Sequence, residues 1–150
     1  MPYLQAVYWD LDGTIANTEL EAHLPAFNNS FKDLSLDWHW DKKTYLDLLK
    51  INGGKNRISF FAKQKSVDIS EDFVIQIHKK KQEHYLNLVN SGVVSLKTGV
   101  NRLIKELSFK NVRQFIVTSS SRNQVELLVS KLFNDKNLFE FFITSDDVDV

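Results

Sequence analysis

Ala6-Val7-Tyr8-Trp9-Asp10-Leu11-Asp12-Gly13-Thr14 decides how the rest of the chain reads. Four apolar residues followed by two carboxylates one residue apart predict a strand from about Leu4 to Trp9 that stops at the acids. The period-two alternation of a strand end places Asp10 and Asp12 on one side of the backbone. Gly13 lets the chain turn tightly behind them. Two carboxylates held together repel unless a cation lies between them, and hard oxygen donors of this kind suit Mg²⁺. With that cation in place, one carboxylate can attack a phosphoryl group while the other shuttles the leaving group's proton. The bland alternative is a surface loop with two solvated Asp residues. The preceding strand and the trailing Gly13-Thr14 favour phosphate handling.

Beyond this loop the apolar spacing turns helical. Leu20, Leu24, Phe27, Phe31 and Leu34 recur at three and four residues. Thr18 with Glu21 predicts a capping box at the start of that helix, and Pro25 a kink within it. A second helix is expected from about Asp41 to Lys50, stopping at Gly53-Gly54. A third follows Lys55, and a long fourth runs from Ser70 to near Gly92. Thr98 then caps a helix carrying Val100, Leu103, Ile104 and Leu107. Gln114 to Val117 reads as a buried strand ending at Thr118-Ser119-Ser120-Ser121, and Val125, Leu128, Val129 and Leu132 mark the next helix. Phe139 to Thr144 completes the pattern as a third strand. Strand, helix, strand, helix, strand predicts an α/β fold, a Rossmann-like parallel sheet with an inserted α-helical domain. The core is expected over 1–16 and 96–150 and the insert over 17–95.

Composition narrows the function. The 150 residues are 43% apolar, enough for one core and a small satellite. Net charge is zero and the basic residues are scattered, which argues against nucleic acid or an anionic membrane as partner. Lys79-Lys80-Lys81 is the densest basic run and reads as a solvated helix face. The absence of cysteine excludes thiol catalysis, disulfides and thiolate metal sites. The N-terminal apolar run is short and ends in charge, so a soluble cytoplasmic protein with no membrane partner is expected.

Thr118 and Ser119 form a second chemical group. Ligands of parallel sheets bind beyond the carboxyl ends of the strands, which would bring strand-ending Thr118 beside strand-ending Asp10. A hydroxyl and the N–H groups of a strand-to-helix turn offer neutral donors to phosphate oxygens. Alternatively, the Ser/Thr cluster caps the helix that begins near Arg122.

The order Asp-x-Asp-Gly-Thr, helical insert, then Thr after an apolar strand resembles the haloacid dehalogenase superfamily, whose members are mostly Mg²⁺-dependent phosphatases. Asn17-Thr18-Glu19, His23, Ala26-Phe27-Asn28, Trp38-His39-Trp40, Tyr45 and Leu48 to Arg57 are similar to its CbbY-type branch, which includes phosphatases of xylulose 1,5-bisphosphate. The resemblance implies that Asp10 is the nucleophile that becomes an aspartyl-phosphate and Asp12 the general acid and base. Both would serve Mg²⁺. Thr118, with Ser119 and Ser120, would bind the transferring phosphoryl. Glu19 would face sugar hydroxyls, and Gly53, Gly54, Lys55 and Arg57 would hold the non-reacting end of a small sugar phosphate. An Arg fork and a Lys point charge suit the second dianion of a bisphosphate. His23 reads as a packing residue as readily as a catalytic one. The insert would move as a cap, hinging near Ala16-Asn17 and Ser95-Leu96.

The family pattern continues with a Lys and an acidic strand end after a further helical unit. Lys131 and Lys136, in or beside a helix before the third strand, are poor substitutes for that Lys; Asp146-Asp147 follow an apolar strand and can be read as the acids, but the Lys and the further helical unit do not precede them, so the core reads as C-terminally incomplete at Val150. The 150-residue chain is therefore expected to be a poor catalyst alone, and the complete protein a monomer. A phosphomutase of the same superfamily, and an inactive sugar-phosphate-binding fragment, are the other readings.

Overall fold

A computed structural model describes residues 3–135 and 137–148. Lys136 and Val150 lie outside the described residues. Three parallel strands form one sheet in the order β1-β2-β3: β1 is Ala6–Trp9, β2 Arg113–Val117 and β3 Phe142–Ile143. Among the described residues six α-helices accompany them: α1 Leu24–Asp33, α2 Lys42–Leu48, α3 Gly54–Gln64, α4 Glu71–Asn90, α5 Val100–Phe109 and α6 Arg122–Leu132. The chain divides into two compact units, one of Met1–Glu21 with Val89–Val150 and one of Ala22–Leu88. These divisions lie inside the insert bounds expected from sequence.

In the first unit β1 and β2 pair in the register Ala6↔Arg113 to Trp9↔Ile116. Gln114 and Ile116 lie buried on the central strand. Gln114 is polar, and every group it carries is used. Its Oε1 accepts from Trp9 Nε1 at 3.1 Å, and its Nε2 donates to the Ile104 carbonyl at 3.1 Å and Ser108 Oγ at 2.9 Å. One buried amide thus fastens α5 to the two strands that end in the candidate chemistry. Ile104, Leu107, Val125, Leu128, Val129, Phe133 and Phe139 complete the apolar interior. The third strand is shorter than expected: Phe139 is buried on the approach, in edge contact with Phe133, and among the described residues the strand proper is Phe142–Ile143, with the Glu140 N–H already reaching the Gln114 carbonyl at 2.8 Å ahead of it.

The second unit is built around an aromatic cluster. Phe27, Phe31, Trp40, Tyr45 and Phe61 are buried together with Leu48, Ile58, Val74 and Ile77. The Trp38-His39-Trp40 stretch earns its place here: Asn28 exchanges two 2.8 Å hydrogen bonds with the backbone of Trp40, which docks the loop between α1 and α2. Asp41 then caps α2 by accepting from the Thr44 N–H at 2.7 Å.

Two local expectations need correction. The Thr18–Glu21 capping box does not form: Glu21 bonds to Ser95, and Thr18 Oγ1 is buried without a partner among the described residues. The bend expected at Pro25 is a π turn, Glu19–His23, that runs into α1 with Pro25 in the first α turn. Pro25 has no N–H to offer the carbonyl one α turn back, so the wider turn comes just before it. Likewise α5 begins at Gly99, at φ +85°, rather than at a Thr98 cap.

Candidate active site

The strand-to-loop turn after β1 is organised by one carbonyl. Leu11 is buried, and its C=O faces the N–H groups of Ile15 at 3.0 Å and Ala16 at 3.2 Å. Gly13, at φ +73°, closes the loop by donating to the Ala16 carbonyl at 2.9 Å. With Leu11 pointing inward, its neighbours Asp10 and Asp12 face out of the strand end. Asp10 is exposed and accepts from Thr14 Oγ1 through Oδ2 at 2.9 Å. Asp12 is half-buried and accepts from Ser120 Oγ. That last bond joins the ends of β1 and β2, so the acidic loop and the hydroxyl turn meet at the carboxyl edge of the sheet.

The hydroxyl turn is equally determined. Thr118 donates its N–H to the Ile143 carbonyl at 2.9 Å, and its Oγ1 accepts from the Ser120 N–H at 3.2 Å. Its own O–H therefore remains to donate. The Ser120 carbonyl takes the Ser145 N–H at 3.1 Å. Ser119 is exposed. The capping alternative for these residues is not realised, because Ser121 makes no side-chain cap and Asp146 accepts from the Arg122 N–H at 2.8 Å instead.

Asp146 and Asp147 belong to that second arrangement and not to the acid pair. Arg122 reaches both oxygens of Asp147 at 2.7 Å, and Thr144 donates to it through both N–H and Oγ1. The Arg122 guanidinium, then the Thr144 donors, hold the Asp147 carboxyl down at about 2. Among the described residues no cluster of three acids or histidines forms around Asp10 and Asp12. The donors present are two hard carboxylates at an open strand end. They fit Mg²⁺, which binds through one or two carboxylates and keeps waters and substrate oxygens in its remaining positions.

Glu19 lies in the π turn of the first unit, and its Cγ is 3.4 Å from where a Cβ on Gly13 would lie. The other four residues expected to touch substrate are in the second unit, and three of them have structural duties. Gly53 precedes α3 at φ +85°. A Cβ on Gly54 would lie 2.8 Å from His78 Nε2. Arg57 donates from Nε to the Ile51 carbonyl at 2.9 Å. Lys55 is exposed, with no ion pair among the described residues.

A cationic group in the second unit was missed. Lys81, read from sequence as part of a solvated face, is 4% exposed. Its Nζ lies 2.7 Å from His23 Nδ1 and about 5 Å from the ring centroids of Phe27 and Tyr85. His23 stacks on Tyr85 at 4.4 Å. Burial, then the positive charges of Lys81, Lys55 and His23, push His78 down to about 4. The signal was available: Val74, Ile77, His78, Lys81 and Tyr85 fall on one stripe of α4 at helical spacing.

Across the described residues no helix is long and apolar enough to cross a membrane. Residues 7–150 match the family model of haloacid dehalogenase-like hydrolases. The chain is 35% identical over 147 residues to Protein CbbY of Rhodobacter capsulatus, covering 97% of this chain and 64% of the relative. The crystal structure of CbbY from Rhodobacter sphaeroides in complex with phosphate matches with a TM-score of 0.84 at 33% identity, over 99% of this chain and 66% of that one. A D10N mutant of that protein, in complex with xylulose-(1,5)bisphosphate, matches equally well. The chain thus spans just under two thirds of the length of these relatives. The acid pair at the end of β1, the hydroxyl turn at the end of β2, the helical second unit and these matches agree: the chain belongs to the haloacid dehalogenase-like hydrolases.

Proposed function

We propose that the chain carries the nucleophile end of a Mg²⁺-dependent sugar-phosphate phosphatase that acts on a bisphosphate such as xylulose 1,5-bisphosphate. One observation carries this reading: the Ser120–Asp12 hydrogen bond that unites the Asp10/Asp12 loop with the Thr118–Ser120 turn. Thr14 occupies Oδ2 of Asp10, so Oδ1 is the atom that attacks phosphorus. The P–O bond to the sugar breaks as the Oδ1–P bond forms, and Asp12 gives its proton to the departing sugar oxygen. Asp12, now ionised, takes a proton from the water that opens the aspartyl-phosphate and releases inorganic phosphate. The Thr118 hydroxyl and the N–H groups of its turn bind the phosphoryl oxygens. Asp10 and Asp12 would hold Mg²⁺, which would supply the positive charge that neutralises those oxygens.

Lys55 is proposed to meet the second dianion as a point charge, with Arg57 as the other cation of the segment. The D10N complex with the bisphosphate in the matching relative supports the choice of substrate class. The test is phosphate release from xylulose 1,5-bisphosphate with Mg²⁺, wild type against Asp10→Asn. The variant is expected to bind substrate and release no phosphate, because an amide cannot form the acyl-phosphate. Release by Asp10→Asn above the enzyme-free rate and comparable to that of wild type refutes the covalent route.

A further inference from the structure

The turn that carries Ser120 is held from outside itself. Every second residue of 118–122 is tied to the segment that follows β3. Thr118 donates its N–H to the Ile143 carbonyl at 2.9 Å, and the Ser120 carbonyl accepts from the Ser145 N–H at 3.1 Å. Arg122 donates its N–H to Asp146 Oδ2 at 2.8 Å. That segment is braced in its own right. Ser145–Asp147 is a short 3₁₀ turn closed by a capping box: Thr144 Oγ1 accepts from the Asp146 N–H at 3.3 Å, and Asp147 Oδ2 accepts from the Thr144 N–H at 2.8 Å. Thr144 is 1% exposed. Arg122 completes the clamp, because its Nη2 reaches both Asp147 oxygens at 2.7 Å and the Phe142 carbonyl at 3.3 Å. Hydrogen bonds between charged partners are about twice as strong as neutral ones.

What the clamp delivers is Ser120. Its N–H is folded back on Thr118 Oγ1 at 3.2 Å, and its Oγ donates to Asp12 Oδ2. Serine has a short side chain, so the backbone position of residue 120 decides whether this bond forms. Groups that move protons must be held to within about 0.5 Å of the productive geometry by neighbours that are themselves fixed. We infer that Asp146 and Asp147 are positioning residues: with Arg122 and the Ser145 N–H they set the Thr118–Ser120 turn where the Ser120 hydroxyl meets Asp12, and so orient the Asp12 carboxylate. The two acids that could be read as metal ligands thus serve the acid pair from a distance, through the hydroxyl turn. Their use in a reaction rests on the phosphatase reading. The clamp itself does not.

The test is spectroscopic and needs no turnover. In the ligand-free, isotope-labelled chain at fixed neutral pH, the carboxyl carbon resonance of Asp12 reports the Ser120 hydrogen bond. Ser120→Ala gives the position of that resonance without the bond. Asp147→Ala and the milder Asp146→Ala are each expected to move it most of the way to the Ser120→Ala position. Both should speed exchange of the Ser120 amide about tenfold, the loss of one hydrogen bond. Asp146→Asn keeps an oxygen that accepts from the Arg122 N–H and is expected to hold the wild-type position. An Asp12 resonance that stays at the wild-type position in the folded alanine variants overturns the inference, because lost stability alone does not move a resonance of the folded state. So does an Asp146→Asn spectrum that matches Asp146→Ala. If Asp147→Ala does not fold, the two Asp146 variants decide the matter. Phosphate release from xylulose 1,5-bisphosphate is read separately: a wild-type chain that releases none removes the phosphatase reading, while the Asp12 resonance still decides the clamp.

Discussion

Gly54→Ala separates two meanings of the Gly53-Gly54 pair. A glycine placed for substrate tolerates a methyl group when substrate is absent, whereas one placed for packing does not. At residue 54 a Cβ would lie 2.8 Å from Nε2 and 2.9 Å from Cδ2 of His78, and 3.4 Å from Cζ of Phe27. The imidazole is carried on α4 and Phe27 is part of the aromatic cluster, so neither ring moves away without disturbing that packing. Overpacking of this kind costs about 1–3 kcal/mol. Alanine in the first turn of α3 returns up to roughly 1 kcal/mol of helix propensity, which leaves about 1–2 kcal/mol of destabilisation. For a domain the size of Ala22–Leu88 that lowers Tm by about 5–15 °C. Trp38 and Trp40 both belong to this unit, so its melting can be followed by tryptophan fluorescence and near-ultraviolet circular dichroism. His78→Ala should relieve the clash, so that the double variant loses less than the sum of the two single losses. An unchanged or raised Tm for Gly54→Ala would refute the steric account.

Three further outcomes are expected. Gln114→Leu strands the Trp9 N–H, the Ile104 carbonyl and the Ser108 hydroxyl, and should cost about 2–4 kcal/mol in urea denaturation of the first unit; a loss below 1 kcal/mol contradicts the network. His78, held at about 4 by burial and neighbouring cations, stays neutral in the folded chain while the unfolded chain takes up a proton near its ordinary value of 6.5. Stability of the second unit should therefore fall as pH drops from about 6.5 to 4 and level off below that, and His78→Leu should flatten this slope in pH-dependent melting curves. Lys55→Ala should weaken bisphosphate binding about tenfold without altering Tm, while Arg57→Ala should lower both, because its Nε holds the Ile51 carbonyl; calorimetric titration with bisphosphate and monophosphate separates the two.

The sequence was most readable where chemistry and local structure coincide. Asp10, Asp12 and Gly13 follow an apolar strand, and that strand ends where its alternation says it must. Thr118 was legible for the same reason, as a hydroxyl at the end of a run of β-formers. What could not be read depends on partners distant in the chain. Glu21 looks like a capping-box residue until Ser95 arrives. Asp146 and Asp147 look like free acids until Arg122 claims them. Lys81 looks solvated unless the apolar stripe of α4 is followed through Val74, Ile77 and Tyr85 to the position between them. Gln114 passed unremarked as a strand residue because its three partners come from β1 and α5.

The pairing of β1 with β2 joins Ala6 to Arg113, and this has a consequence for the order of events during synthesis. The acid loop is synthesised roughly a hundred residues ahead of β2, and β1 cannot make this pairing until β2 emerges. At about 5–20 residues per second that wait lasts roughly 5–20 s. The second unit, whose contacts are local, can condense in the interval, since short-range closures cost less entropy and form faster. β2, α6 and β3 follow as a further local block. Asp10 and Asp12 are thus made well before Thr118 and Ser120, and they acquire these neighbours only once β2 has joined β1.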